Sequence, residues 1–189
     1  MKIVVLDGYT LNPGEREWEE LKELGELTVH DRTSQEDVIR RAEGADVVLT
    51  NKVVLDRYTL EHLPDLKYIG VLATGYNIID LEVARKQGIV VTNIPAYSTD
   101  SVVQMAFAHI LNITLRVGHY ANEVHNGVWS AQNDFSYRDT PLVELAGKRI
   151  GLVGFGHIGQ AMAKVASAFG MKVVVCCLLY TSDAADDKA

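Results

Sequence analysis

The sequence has few of the residues that build disulfide networks, thiolate metal sites or nucleic-acid surfaces. Its two cysteines, Cys176 and Cys177, are adjacent, so they supply neither a disulfide framework nor a spaced set of metal ligands, and no metal site is expected. Lysine and arginine number 18 against 25 acidic residues, which gives a net charge of -7, and they form no basic block. Nucleic acid and anionic membranes are therefore poor candidates for partners.

Long hydrophobic runs are also missing. The first apolar run covers residues 3–6, which is too short for the core of a signal peptide and far too short to span a bilayer. We therefore expect a soluble, cytoplasmic protein with no membrane partner. What the 189 residues do contain is 48% apolar side chains, enough to bury the core of one or two globular domains.

Short runs of valine and isoleucine alternate with helical patterns, and this alternation predicts an α/β fold with a parallel sheet. Five strand-like runs fall in the first hundred residues, at 3–6, 27–30, 47–49, 68–72 and 89–91. Amphipathic patterns predict helices at 15–24 and 81–87, and segment 98–126 predicts one long, largely buried helix. A strand at 149–153, a helix at 161–169 and a strand at 172–175 follow, and we place the domain boundary near 97–101.

The strongest chemical signal is the glycine-rich turn Gly154-Phe155-Gly156-His157-Ile158-Gly159, which lies between a predicted strand and a predicted helix. In that setting the spacing is typical of dinucleotide binding. The first glycine permits a tight turn, the second lets the backbone approach a diphosphate, and the third lets helix and strand pack closely. The N–H groups at the start of the helix then bind the phosphates. A glycine-rich turn without a ligand is the alternative.

The same pattern usually ends in an acidic residue roughly 20 positions later, which binds the adenosine ribose. Here the strand at 172–175 runs into Cys176 and Cys177, and the first carboxylate after it is Asp183. A relaxed cofactor preference, a preference for NADP, and a native sequence that ends near these cysteines all stay open, although no arginine follows to pair with a 2'-phosphate. We expect the tail at 178–189 to be non-native, with a genuine divergent ending as the alternative.

Several further motifs occur in an order typical of one enzyme family. They are YIGVLATGYNIID at 68–80, VTNIP at 91–95, TDSV at 99–102, and LAGKRIGLV at 145–153, which leads into the glycine-rich turn. Over about residues 1–175, the chain resembles the D-isomer-specific 2-hydroxyacid dehydrogenases of the glycerate dehydrogenase and hydroxypyruvate reductase type. The first motif is similar to their substrate loop, and the next two are similar to their crossing into the cofactor domain.

This resemblance implies an architecture of two domains. A flavodoxin-like parallel-sheet domain that binds substrate is expected at 1–98. A Rossmann NAD-binding domain is expected at 99–177, beginning with the long crossover helix and containing only its first strand-helix-strand. Residues 178–189 are the expected non-native tail, and the intact protein is expected to be a homodimer.

The resemblance also implies hydride transfer between NAD(H) and a small 2-hydroxy or 2-keto acid, with NADP not excluded. Backbone N–H groups at Thr74, Gly75 and Tyr76 are implied to bind the substrate carboxylate, with Thr74 also near the nicotinamide and Lys52 facing the cleft. The implied diphosphate site is the turn itself, formed by Gly154, Phe155, Gly156, His157, Ile158 and Gly159. A plain strand-ending turn at Thr74 and a solvated surface lysine at Lys52 are the alternatives.

The family's catalytic arginine, glutamate and histidine lie in later segments, and none can be located here, so we expect the 189-residue chain to be inactive. Packing, capping or surface roles are expected for the histidines and arginines of the long helix and the segment after it: His109, His119, His125, Arg116 and Arg138. The alternative function is a non-catalytic, NAD-responsive scaffold of the corepressor kind on the same fold. A nucleotide-binding fold that uses another cofactor is a third hypothesis.

Overall fold

The computed structural model describes residues 1–11, 14 and 18–176. The chain divides into two units, Met1–Tyr97 and Ser98–Ala189. None of the helices among the described residues has both the length and the hydropathy needed to cross a bilayer.

The first unit is built on a sheet of five parallel strands. They are β1 (Lys2–Val5), β2 (Glu26–Val29), β3 (Val47–Thr50), β4 (Tyr68–Val71) and β5 (Val90–Thr92). Their spatial order, β2-β1-β3-β4-β5, is the flavodoxin-like order, in which the direction of winding reverses between β1 and β3. The predicted α/β fold with a flavodoxin-like parallel sheet is therefore confirmed.

Among the described residues, four short α-helices lie between these strands: α1 (Glu19–Lys22), α2 (Val38–Ala42), α3 (Arg57–Glu61) and α4 (Leu81–Lys86). The start of α4 is fixed by Asp80, whose carboxylate accepts the N–H groups of Glu82 and Val83 at 3.1 and 3.0 Å. The helix predicted at 15–24 ends at Lys22, two residues earlier than expected, because the chain must turn into β2 at Glu26; residues 15–17 of the prediction lie outside the described residues.

The central strands β1, β3 and β4 are buried on both faces of the sheet. Along β1, Val4 contributes to one hydrophobic cluster, while Ile3 and Val5 contribute to the other, because successive side chains point to opposite faces of a strand. A parallel sheet covered on both faces needs continuous apolar strands, and β1 and β3 have this composition.

The second unit contains α5 (Thr99–Leu115), α6 (Val117–His125), β6 (Arg149–Val153), α7 (His157–Ala168) and β7 (Lys172–Cys176). β6 and β7 are parallel and are joined through α7, as the sequence predicts. α5 packs against α7 through Val103, Phe107 and Met162, and the ring of Phe107 stacks on Phe169 with 5.3 Å between centroids.

The prediction of one long, largely buried helix at 98–126 is wrong in two respects. The helix breaks at Arg116, which adopts a left-handed conformation with φ of 53°, and the side-chain oxygen of Asn112 accepts the N–H of Gly118 across the break. Only Val103 and Phe107 of α5 are buried, and Ile113 is 74% exposed. The apolar residues at 113, 115 and 117 alternate in steps of two, which is not a helical period.

Asp46, just before β3, gives the first unit a defined response to acid. Its carboxylate accepts the N–H of Lys2 at 2.9 Å and the ammonium of Lys67 at 2.6 Å. The hydrogen bond from Lys67, followed by that from Lys2, holds the pKa of Asp46 below its ordinary value of 3.8. A carboxyl group with a lower pKa in the folded chain stabilises the fold above its unfolded pKa, and this contribution is lost as the pH falls through the folded pKa.

We therefore expect Asp46→Asn to lower the free energy of unfolding near neutral pH, and to weaken its dependence on pH below about 4. Urea unfolding of both proteins at a series of acidic pH values measures this difference. Lys67→Met removes the partner charge and should flatten the acid response in the same way. An unchanged pH dependence in both variants would contradict the assignment.

Candidate functional site

The carboxyl ends of β1 and β3 are joined by a buried carboxylate, that of Asp7. Asp7 directly follows β1 and is 3% exposed. Its two carboxylate oxygens accept the N–H groups of Asn51 and Lys52, at 2.8 and 2.6 Å. The side-chain amide of Asn51 also donates to Thr10 Oγ1 at 2.9 Å. Asp7, at the end of the neighbouring strand β1, thus fixes the turn that carries Lys52. The Lys52 side chain itself is exposed.

The turn after β4 is held by the segment that follows β5. Thr74 Oγ1 donates to the carbonyl of Ile94 at 3.0 Å, and the side-chain amide of Asn93 donates to the carbonyl of Thr74 at 2.8 Å. Gly75 and Tyr76 are exposed. Within the described part of the chain, no hydrogen bond engages the backbone N–H of either residue. This turn therefore presents amide donors to solvent on a fixed backbone, and such donors suit a carboxylate.

The sheet brings the residues expected at the substrate loop to one edge. Lys52 follows β3, and Thr74, Gly75 and Tyr76 follow β4, its hydrogen-bonded neighbour. The N–H of Leu72 donates to the carbonyl of Thr50 at 2.8 Å and continues the pairing of the two strands toward this edge. Ligands of open α/β sheets bind at the carboxyl ends of the strands, beside the point where the winding reverses.

The sequence reasoning missed Asp7 and Asn93, which hold these turns in place. Asp7 directly follows the apolar run at 3–6 and precedes a glycine, so the local pattern indicates only the end of a strand. The available signal was an acidic residue directly after the first buried strand of a parallel sheet, a position where backbone N–H groups of the next strand end are close enough to bind it.

In the second unit, the glycine-rich turn has the conformation that its spacing predicts. Gly154 has a φ of +95°, a value that residues with a side chain rarely adopt, and its N–H donates to the carbonyl of Cys176 at 2.7 Å. A Cβ on Gly159 would lie 2.5 Å from the carbonyl oxygen of Gly154, so the helix and the turn pack more closely than any other residue allows. A Cβ on Gly156 would have no described atom within 4 Å, so this position faces open space.

The helix after the turn begins earlier than the sequence predicts. α7 begins at His157 rather than at 161, because Gly156 acts as its N-cap and the pair Ile158-Gly159 is helical. The first backbone bond of this helix joins the N–H of Gln160 to the carbonyl of Gly156 at 2.9 Å. The N–H groups of His157, Ile158 and Gly159 therefore stand outside the helical ladder, and no side chain caps them. This end of the helix carries a partial positive charge and is suited to an anion.

The other histidines and arginines singled out from the sequence lie apart from the turn in the chain. His125 is exposed, and its Nδ1 lies 2.7 Å from the carbonyl of Ala121 in the same helix. Arg116 stands at the break between α5 and α6, and His109 and Arg138 are exposed. His119 differs from them, because its imidazole contacts two carboxylates. The region after Cys176, where a ribose-binding carboxylate is expected, lies outside the described residues.

The model of the D-isomer specific 2-hydroxyacid dehydrogenase catalytic domain matches residues 3–187 of the chain. A hydroxypyruvate reductase of Blautia hydrogenotrophica is 51% identical over 177 residues, which are 92% of this chain and 55% of the reductase. A glycerate dehydrogenase of Methylorubrum extorquens is 36% identical over 173 residues, which are 92% of this chain and 54% of that enzyme. The chain thus spans about half the length of the curated relatives that it matches.

Solved structures show the same fold. An acyclic imino acid reductase (Bsp5) in complex with NADPH and D-Arg matches with a TM-score of 0.73 at 28% identity, over 93% of this chain and 55% of the reductase. The TT0316 protein of Thermus thermophilus matches with a TM-score of 0.72 at 29% identity, over 97% of this chain and 58% of its own. The chain therefore belongs to the family of D-isomer specific 2-hydroxyacid dehydrogenases.

Proposed function

We propose that a full-length protein containing these residues transfers a hydride between NAD(H) and a small 2-keto or 2-hydroxy acid of the hydroxypyruvate and glycerate kind. The observation that carries this proposal is the start of α7, where three backbone N–H groups and the open space at Gly156 fit a diphosphate. When bound, the nicotinamide supplies or accepts the hydride. The similarity to a hydroxypyruvate reductase supports the substrate class.

The residues of the first unit bind and orient the acid in this proposal. The amide groups of Gly75 and Tyr76 donate to the substrate carboxylate. The side-chain amide of Asn93 holds their turn in place through its hydrogen bond to the carbonyl of Thr74. Lys52 adds a positive charge at the same edge. Because Asp7 fixes the backbone that carries Lys52, the ammonium group is tethered close to the bound anion with little loss of backbone entropy.

The test uses the 189-residue chain and a full-length protein that contains it. We expect the full-length protein to oxidise NADH with hydroxypyruvate or glyoxylate. We expect no turnover from the chain alone, because no residue in it is assigned the family's catalytic arginine, glutamate or histidine role. A full-length protein that binds NADH without turnover would favour the scaffold function, and one that binds neither NADH nor NADPH would overturn the proposal.

Lys52→Met in the full-length protein tests the substrate edge. We expect the KM for hydroxypyruvate to rise about 10- to 100-fold with little change in kcat, since a hydrogen bond involving a charged group contributes roughly 1.5–3 kcal/mol. The matched control is Lys86→Met on α4, whose ammonium lies 2.6 Å from Glu82. Steady-state kinetics distinguish the two variants. Equal KM values in the Lys52 variant and the parent would show that Lys52 is a solvated surface lysine that does not contribute to substrate binding.

A further inference from the structure

Three side chains of types that can ligate a metal converge at α6, away in sequence from the glycine-rich turn. His119 and Glu123 lie one helical turn apart, and Asp139 comes from the irregular segment between α6 and β6. His119 Nε2 is 2.7 Å from Asp139 Oδ2 and 3.4 Å from Glu123 Oε2. One ligand atom from each of the three residues lies within 4.8 Å of the other two.

The donor set and its spacing fit a zinc-like cation. One imidazole nitrogen and two carboxylate oxygens are common ligands of Zn²⁺, which binds them at about 2.0–2.2 Å in a tetrahedron, so ligand atoms stand about 3.4 Å apart. The distance between His119 and Glu123 already has this value, 3.4 Å. The distance from His119 to Asp139 requires a small outward movement of Asp139, which is an exposed residue.

One proton on the His119 ring can hydrogen-bond well to only one of the two carboxylates, whereas a bound cation would contact both. The same atom, His119 Nε2, faces both carboxylates, and it carries one hydrogen at most. With a neutral imidazole, the group has two negative charges and no described lysine or arginine in an ion pair with it. All three side chains are partly exposed, which leaves the fourth position of a tetrahedron open to water.

Neighbouring side chains hold the Glu123 carboxylate and the segment around Asp139 in place. The hydroxyl of Tyr137 donates to Glu123 Oε2 at 2.9 Å. Tyr120 packs edge-on against both His119 and Tyr137, and its hydroxyl lies 3.1 Å from Thr140 Oγ1. Hydrogen bonds of this kind to ligating carboxylates orient metal ligands and strengthen binding.

We propose that His119, Glu123 and Asp139 form a binding site for a divalent transition-metal cation of the Zn²⁺ class, which fastens residues 137–140 to α6. The site is separate from the proposed dehydrogenase chemistry and does not depend on it. Its role is structural, because it ties an irregular segment to a helix that contributes no buried residue of its own.

The test is titration of the 189-residue chain with Zn²⁺ by calorimetry, in a background in which Cys176 and Cys177 are serine, so that thiolates do not contribute. We expect one equivalent to bind, and His119→Ala and Asp139→Asn each to weaken binding by more than the roughly 10- to 100-fold typical of losing an outer hydrogen bond. Tyr137→Phe should weaken Zn²⁺ binding by only this roughly 10- to 100-fold. The matched control is His125→Ala on the same helix, which should bind as the parent does.

Trypsin cleavage after Arg138 gives a second readout that does not depend on heat of binding. Zn²⁺ should slow this cleavage several-fold in the parent and in His125→Ala, and should have no effect in His119→Ala or Asp139→Asn. Absence of stoichiometric binding by the parent, or His119→Ala and Asp139→Asn variants that bind as tightly as the parent, would overturn the proposal and leave an ordinary ion-pair cluster.

Discussion

Gly159→Ala will lower the free energy of unfolding of the second unit by about 1–3 kcal/mol and abolish measurable NADH binding. The new methyl carbon would lie 2.5 Å from the carbonyl oxygen of Gly154, and both partners of this clash are backbone. Gly154 cannot easily move away, because its φ of +95° is already fixed by the tight turn. The start of α7 must therefore shift, and its N–H groups lose their alignment toward the diphosphate.

Gly156→Ala separates binding from folding in the same turn. Gly156 has a φ of -72°, which alanine adopts without strain, and its Cβ would meet no described atom within 4 Å. We expect its stability to stay within about 0.5 kcal/mol of the parent. NADH affinity should nevertheless fall at least tenfold, since the methyl group would occupy the space that a phosphate oxygen needs.

Fluorescence titration with NADH and denaturant unfolding followed by circular dichroism measure both variants in the full-length protein. Parent-like NADH affinity in Gly156→Ala would show that this turn is not the diphosphate site. Parent-like stability in Gly159→Ala would show that the close contact with Gly154 is absent in solution.

Asp7→Ala is the second change with a large expected effect, and it acts on the first unit. The substitution leaves the partly buried N–H groups of Asn51 and Lys52 without their acceptor, and we expect the free energy of unfolding to fall by about 1–3 kcal/mol. Asp7→Asn restores one acceptor but places an amide donor opposite the other N–H. We therefore expect it to lower the free energy of unfolding by less than Asp7→Ala does. Urea unfolding measures both variants.

The matched control for Asp7 is Asp31→Ala, an exposed aspartate shortly after the neighbouring strand β2. We expect it to change stability by no more than about 0.5 kcal/mol. In the full-length protein, Asp7→Asn should also raise the KM for hydroxypyruvate, because the turn that carries Lys52 loosens. If Asp7→Ala unfolds at the same urea concentration as the control, the carboxylate does not hold the turn.

The strands could be predicted because their signal is local. β1 and β3 are continuous apolar runs, and burial on both faces of a parallel sheet demands that composition. The glycine-rich turn could be predicted for the same reason, since the steric demands at Gly154 and Gly159 arise within six positions of one another. Each of these features depends on neighbours along the chain.

The contacts that could not be predicted join distant positions. The N–H of Asn51 is 44 residues from the Asp7 carboxylate, and no local pattern specifies their pairing. The exposure of Ile113 also escaped prediction, because an apolar residue near the end of a helix has the same pattern whether or not another element covers it. The break at Arg116 had a weak local signal in the two-residue spacing around it.

The anion seat proposed at the start of α7 consists of main-chain amides, and this has a consequence for engineering cofactor choice. Such a seat accepts the diphosphate common to the phosphorylated and unphosphorylated dinucleotides equally well. Libraries meant to change the dinucleotide preference of a full-length protein should leave positions 154–159 untouched and diversify the positions that follow β7 in that protein.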